Sequence, residues 1–252
     1  MSAYTFSSDY HGEKVEALLS DSSKDVSFHS EFKSGVNVKV GDDLLYISYP
    51  YFQIPPFGLM LRKEVMDYIK PLFKEAKLSF HQGRLVIGDF QLTIENSREA
   101  SNYIQKKELE TDFFLEPLEV YVKQSPLIEY SLNENLEKLV KELIGFGQGL
   151  TPSGDDFIVG LLALNSRINF LPSSIFSVIE KKINDKQTTD VSIAYLKSAL
   201  EGQYSTAVVE VMNELDNPVR LSKALELLAQ TGHTSGKDTI YGMYYGLTLI
   251  QK

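Results

Sequence analysis

The hydrophobic period of this chain changes once, near Asn133, and that change limits the folds open to it. Beyond it, Leu136, Leu139, Val140, Leu143 and Ile144 fall on one face of a 3.6-residue helix. Helical patterns continue near 154–167, 173–184, 189–200, 205–215, 218–230 and 236–250, after a first one near 133–144. Asn217-Pro218 is a good helix start, with an N-cap side chain followed by a residue whose missing N–H costs nothing there. Before Asn133 the period is mainly two. Val36, Val38 and Val40 alternate with polar residues, Gly41-Asp42-Asp43 can turn, and Leu44 to Tyr49 returns as the second strand of a hairpin. Leu78-Ser79-Phe80 and Arg84 to Ile87 form a second such pair about His81-Gln82-Gly83, and Phe90–Ile94 and Leu118–Val122 read as further strands. Helical patterns interrupt at Glu13–Leu19, Lys63–Phe73 and Arg98–Lys106. The expected architecture is α+β. A strand-dominated domain over 1–125, a small barrel or sandwich with a few helices, precedes a C-terminal all-α helix bundle over 126–252, with the junction near Gln124–Ser131.

The charge balance removes several function classes. The chain has 252 residues and a formal charge of −9, and both halves are acidic, so no basic stripe exists to neutralise phosphates and no nucleic-acid partner is expected. The absence of cysteine excludes disulfides, thiolate nucleophiles, iron–sulfur clusters and Cys-ligated zinc. Met1 to Tyr10 has neither a basic start nor an apolar segment, so no secretory signal is expected and the cytoplasm is the expected location. The longest strongly apolar stretch, Phe157 to Leu164, is less than half of the ~20 residues a membrane helix requires. No membrane partner is expected.

Five of the 16 glycines lie between residues 145 and 160. In Gly145-Phe146-Gly147-Gln148-Gly149-Leu150-Thr151-Pro152-Ser153-Gly154-Asp155-Asp156, Gly147 and Gly149 can take positive φ and expose successive backbone N–H groups. Ser153 is placed to cap the apolar helix that follows. A loop of bare amides running into a helix N-terminus is an anion cradle. It is not the phosphate loop of nucleotide hydrolases, since no Gly-Lys-Ser/Thr closes it. Nor is it the dinucleotide fingerprint, since a helix rather than a strand precedes it.

The loop's helix start is repeated. Ser153-Gly154-Asp155-Asp156-Phe157-Ile158-Val159-Gly160 aligns without gaps on Ser235-Gly236-Lys237-Asp238-Thr239-Ile240-Tyr241-Gly242, 82 positions on. In each copy the serine would be the N-cap and the second acidic position, Asp156 or Asp238, would be N3. Each copy therefore also reads as a plain capping box, a common helix-start signal. Repetition with matched glycines argues for more, because glycine in the first turn lowers helix stability by roughly 1 kcal/mol relative to alanine. If the two helix starts face one another, their amides and positive dipole ends converge on one anion. Spacing gives Asp156 and Asp238 the capping role and leaves Asp155 for a substrate amide or a Mg²⁺ bridge.

His233, in Gly232-His233-Thr234-Ser235-Gly236, immediately precedes the second helix start. A neutral imidazole there could polarise a carbonyl or exchange a proton with a leaving nitrogen, although a lone histidine is more often a structural hydrogen-bonder. Thr151 and Thr234 add hydroxyl donors to the same loops. Tyr241, Tyr244 and Tyr245, at helical spacing, could line a pocket but read more readily as core or interface. His11 and His81 read as ordinary surface or turn residues.

Taken together, Gly147-x-Gly149-Leu150-Thr151-Pro152-Ser153-Gly154-Asp155-Asp156-Phe157 and Gly232-His233-Thr234-Ser235-Gly236-x-Asp238 resemble the AllH-like family, whose best-known member is a subunit of oxamate carbamoyltransferase. His29-Ser30-Glu31-Phe32 is similar to that family's His-Ser-x-Phe strand, and Pro56-Phe57-Gly58 to its Pro-x-Gly turn. The resemblance implies a transferase of allantoin degradation, in which oxalurate and phosphate give oxamate and carbamoyl phosphate, with two larger subunits as partners. The Ser-x-Arg-Thr motif of ordinary aspartate and ornithine carbamoyltransferases is missing. On this resemblance the small anionic substrate (phosphate, carbamoyl phosphate, oxamate or oxalurate) is assigned to Gly147, Gly149, Thr151, Ser153, Gly154, Asp156, Thr234, Ser235, Gly236 and Asp238, with His29 and Ser30. His233 is assigned carbonyl polarisation or proton transfer, and Asp155 the holding of an amide. No cofactor or metal ligand is assigned, Mg²⁺ being left open at Asp155. The rival expectation is a non-catalytic metabolite-binding or scaffold subunit.

Overall fold

A computed structural model describes residues 4–49, 53–106, 115–129 and 135–251. The chain divides into two compact units, Met1–Asn102 and Tyr103–Lys252, and the α+β class holds, with strands concentrated in the first unit and helices in the second.

In the first unit, β1 (Tyr4–Ser7), β2 (Tyr10–His11), α1 (Val15–Ser20), β3 (Val26–Glu31), β4 (Gly35–Val40), β5 (Asp43–Ser48), β6 (Gly58–Met60), α2 (Lys63–Ile69), β7 (Leu78–His81), β8 (Arg84–Ile87), β9 (Phe90–Thr93) and β10 (Arg98–Glu99) follow in order. They build two open sheets, ordered β1-β9-β8-β7 and β10-β2-β6-β5-β4-β3, and no barrel closes among the described residues. Both expected hairpins form. Val40 pairs with Asp43 across a turn in which Gly41 has φ 59°, and His81 pairs with Arg84 across Gln82 and Gly83 at φ 50° and 72°. A two-residue hairpin turn takes positive φ at its first central residue, as at Gly41, or at both, as at Gln82 and Gly83. The Lys63–Phe73 pattern is α2 followed by a 3₁₀ turn, Lys70–Lys74.

Three readings of the sequence are corrected. Arg98–Lys106 is not a helix, because the amides of Arg98 and Ala100 donate to the carbonyls of Asp9 and His11 and zip this stretch to β2. Leu118–Val122 is not a strand but lies in a helix, α3 (Glu116–Val122), with Pro117 in its first turn and Leu118 and Val122 buried one turn apart. His11 is no surface residue. It is 6% exposed within the sheet, its Nδ1 lies 2.9 Å from Ser97 Oγ, and burial holds its pKa below the ordinary value against the nearby Glu99 and Glu16 charges.

The second unit continues with α4 (Leu136–Leu143), α5 (Ser153–Ile168), α6 (Ser173–Asn184), α7 (Asp190–Leu200), α8 (Thr206–Asn213), α9 (Pro218–Ala229) and α10 (Ser235–Ile250). These match the periodicities closely. Asn217 caps α9 as expected, accepting from the Arg220 amide at 3.1 Å, and Asn135 and Thr189 cap α4 and α7 in the same way.

The unit is organised around α5 and α10. Thr151 meets Ser235 just before and at the two helix starts, Phe157 packs on Tyr241 and Tyr245, and Leu164 lies against Gly246, so contacts advance in step and the helices run parallel. Two glycines set their separation. A Cβ on Gly160 would lie 1.9 Å from the Thr239 carbonyl oxygen, and one on Gly242 would lie 1.9 Å from that of Phe157. The contacts are reciprocal, since Gly160 and Phe157 correspond to Gly242 and Thr239 under the 82-residue shift. Only hydrogen at those positions lets the two backbones touch. Around them Phe157, Ile158, Leu161, Met243 and Leu247 are buried in one core with residues of the other helices.

Gly160→Ala and Gly242→Ala should each destabilise the chain by about 3 kcal/mol, at the upper end of ordinary overpacking, because the intruding atom meets backbone rather than a movable side chain. Urea unfolding checks this, with Lys223→Ala on the exposed face of α9 expected to stay within about 0.5 kcal/mol.

Candidate functional site

The sequence repeat is a repeat of structure. Helix α4, a loop and α5 match α9, a loop and α10. Phe146 and Thr231, each three residues past a buried helix-end leucine, donate their amides to Leu143 and Leu228 and accept from the amides of Gly154 and Gly236. Glycine is required at both acceptor-facing positions, where a Cβ would fall 2.0 Å from the Leu143 oxygen and 1.9 Å from the Leu228 oxygen.

This arrangement overturns the capping boxes. Ser153 and Ser235 are the first residues inside their helices, Pro152 and Thr234 occupy the cap positions, and neither cap side chain accepts a bond. The loop carbonyls of Phe146 and Thr231 serve the first-turn amides instead, which frees the serines and aspartates to turn to the opposite copy. The Ser235 and Thr151 hydroxyls lie beside the carboxyl of Asp156, and those of Ser153 and Thr234 beside that of Asp238, whose Oδ1 accepts from Ser125 Oγ. Thr151 Oγ1 and Ser235 Oγ are 2.8 Å apart. The two helix starts therefore abut, as convergence on one ligand requires.

The loops leading into them hold free donors. Gly147 and Gly149 have φ 117° and 94°, as the sequence suggests. Among the described residues, no acceptor engages the amides of Gly147, Gln148, Gly149 and Thr151 in the first loop, or those of Gly232, His233, Thr234 and Ser235 in the second. Gly147, Gly149, Gly232 and His233 are exposed, so these N–H groups face solvent at the positive ends of two 16-residue helices.

The three aspartates have separate tasks. Asp155 is 1% exposed; its Oδ1 accepts the Gly145 amide at 2.8 Å and its Oδ2 the Thr188 hydroxyl. Both oxygens are committed to holding the first loop against the segment before α7, which corrects the expectation that Asp155 is left for a substrate amide or Mg²⁺. Burial raises its pKa and those hydrogen bonds oppose the shift. Asp156 is held well above the ordinary carboxylate value, first by burial and then by the charges of Asp238 and Asp155. Burial also raises Asp238, against the neighbouring Ser125, Ser153 and Thr234 hydroxyls and the charge of Lys237. Among the described residues no group of three or more His, Asp or Glu side chains could hold a metal ion.

His233 lies in the second loop and makes no hydrogen bond or ion pair with a described residue. His29 and Ser30 belong to the first unit, where His29 Nδ1 lies 2.9 Å from Ser30 Oγ, Asn37 Nδ2 donates to the same oxygen at 3.1 Å, and the β3–β4 register shifts between Phe28 and Ser30. Tyr241 is buried against Phe157, in keeping with a core role. Sequence reasoning missed Ser125, whose hydroxyl donates to Asp238 Oδ1 at 2.5 Å, and Thr188 and Thr189, the latter donating to the Leu150 carbonyl at 2.5 Å. No local pattern marks them, because their partners are distant in the chain.

Residues 143–247 match the family described as oxamate carbamoyltransferase subunit AllH. This stretch is AllH-like. The match runs from the end of α4 into α10 and contains both loops, both serines and all three aspartates, while the strand-rich unit lies outside it. No solved structure matches the chain. No helix among the described residues is long and apolar enough to cross a membrane.

The raised carboxyl of Asp156 has a consequence for stability. Between the ordinary value of 3.8 and its higher folded value, the folded chain holds more protons than the unfolded one. This group's contribution therefore favours the fold most in acid and declines as pH climbs through that window. Asp156→Asn removes the titration. The stability of the variant relative to the wild type should rise as pH increases from about 4 and level off above the folded value, read by chemical unfolding across pH.

Proposed function

We propose that this chain is a subunit of an oxamate carbamoyltransferase and that its paired loops hold a small anion of the reaction. The observation that carries this reading is the meeting of two helix starts at the Thr151–Ser235 contact, with free amides in both loops. Phosphate, carbamoyl phosphate, oxamate and oxalurate are all small anions suited to such donors. In carbamoyl transfer a phosphate oxygen attacks the ureido carbonyl of oxalurate, negative charge builds on the carbonyl oxygen, and the bond to the departing nitrogen breaks as that nitrogen gains a proton. Loop N–H groups and the Thr151 and Ser235 hydroxyls would stabilise that charge, and His233 would supply the proton. Gly147, Gly149, Gly154 and Gly236 shape the cradle, and Asp155 holds it in place.

The proposal includes partner subunits, consistent with the word subunit in the family's description, and a cytoplasmic setting. A second reading, a non-catalytic metabolite-binding or scaffold subunit, is favoured by one observation: no described residue positions His233.

Phosphate or oxamate at ~100-fold its dissociation constant should stabilise the chain by about 2.7 kcal/mol, or roughly 5–10 °C at this size. Ser153→Ala and Ser235→Ala should weaken that thermal shift. In a complex reconstituted with its partners, His233→Ala should lower kcat by about 100-fold with anion binding retained. Retained kcat with retained binding supports the non-catalytic reading instead.

A further inference from the structure

Two carboxyl groups are enclosed where the helix starts abut. Asp238 is wholly buried, with Ser125 donating to its Oδ1 at 2.5 Å. Asp156 keeps part of its surface exposed, while its Oδ2, like that of Asp238, is shielded from solvent. Each stands in the first turn of its helix, and each has a serine hydroxyl of the opposite copy beside it, Ser235 for Asp156 and Ser153 for Asp238. The charges that bear on the pair are few. Asp155 opposes the ionisation of Asp156, and Lys237 favours that of Asp238. Among the described residues, the segment after α3 contributes the Ser125 hydroxyl and the two loops those of Thr151 and Thr234.

Lys237 and the positive ends of α5 and α10 favour one negative charge on this pair. A second, placed beside the first in a shielded setting, has no counter-charge among the described residues. The two carboxyls therefore titrate as a unit, sharing a proton at pH values where an isolated carboxyl has lost its own. The proposed function, on which this inference rests, sets an anion against the same helix ends. There it competes with carboxylate for their positive potential and adds a like charge nearby. We propose that anion binding is proton-linked: an anion entering the paired loops draws one proton from solvent onto the Asp156–Asp238 pair, and its affinity falls as pH rises. No ligand has to reach the buried oxygens. The hydroxyls of Thr151 and Ser235, 2.8 Å apart and only half-buried, lie beside the Asp156 carboxyl and can relay the proton.

Oxamate is the probe, since its carboxylate stays ionised between pH 5 and 9 and its amide does not titrate there, whereas phosphate takes up protons itself. Calorimetric titration of the full chain across that range should show affinity falling by as much as about tenfold per pH unit above the midpoint of the pair, the limit for one proton per anion. Binding enthalpies measured in buffers of low and high ionisation enthalpy should differ in the sense of proton uptake. Asp156→Asn and Asp238→Asn, with helix content verified by circular dichroism, should each abolish most of that uptake, and His233→Ala should retain it. Constant affinity across pH with a buffer-independent enthalpy overturns the linkage and leaves the anion cradle standing. Uptake that survives in both asparagine variants, or that disappears in His233→Ala, does the same. Failure of oxamate and phosphate alike to bind overturns the linkage together with the cradle.

Discussion

The backbone contact of α5 with α10 at Gly160 and Gly242 is the constraint on which the helical unit depends. It places two parallel helices so close that their N-terminal ends lie together. Like ends of two helix dipoles repel, so this packing is held against electrostatics by the apolar core behind it and relieved by negative charge in front of it. Asp156 and Asp238 stand in the first turns of the two helices, where a negative group is most useful. The same geometry that strains the pair would favour the anion of the proposed function.

Asp155 and Asp156 show how adjacent identical residues are assigned different work by a helix. Successive side chains point about 100° apart around the axis. One aspartate consequently turns towards Gly145 and Thr188 and fixes the loop, and its neighbour turns towards Ser235 and the partner helix. Spacing along the chain distinguishes them by one position, but only the direction of the helix decides which faces the second copy.

Local patterns carried the fold a long way. The period of the apolar residues located α4 to α10, and turn residues located both hairpins, because in each case the determining interactions lie within a few positions. The failures share one cause. Leu118–Val122 is apolar enough for a strand, yet its two buried residues are a turn apart on a face that meets α10 and α9. His11 is buried by strands from positions 58–60 and 98–99. At the site, the glycine cluster and the repeat were legible. The partners Ser125 and Thr188 were not, since each meets its aspartate only after the chain has folded back. The capping boxes were misread for the same reason, because carbonyls from the preceding loop had already satisfied the amides that the serines were expected to serve.

The two copies are not identical, and their differences bear on orientation. A ligand lying between two related halves would meet nearly the same groups after half a turn, and a reaction that must distinguish its two ends cannot tolerate that ambiguity. Three departures break it. Lys237 stands where the first copy has Asp155, the first loop is three residues longer between its helix-end leucine and the following glycine, and only the second loop carries a histidine. In the proposed function the duplicated part of the chain would supply affinity from both sides, and the unmatched part would determine which way round a ligand must lie.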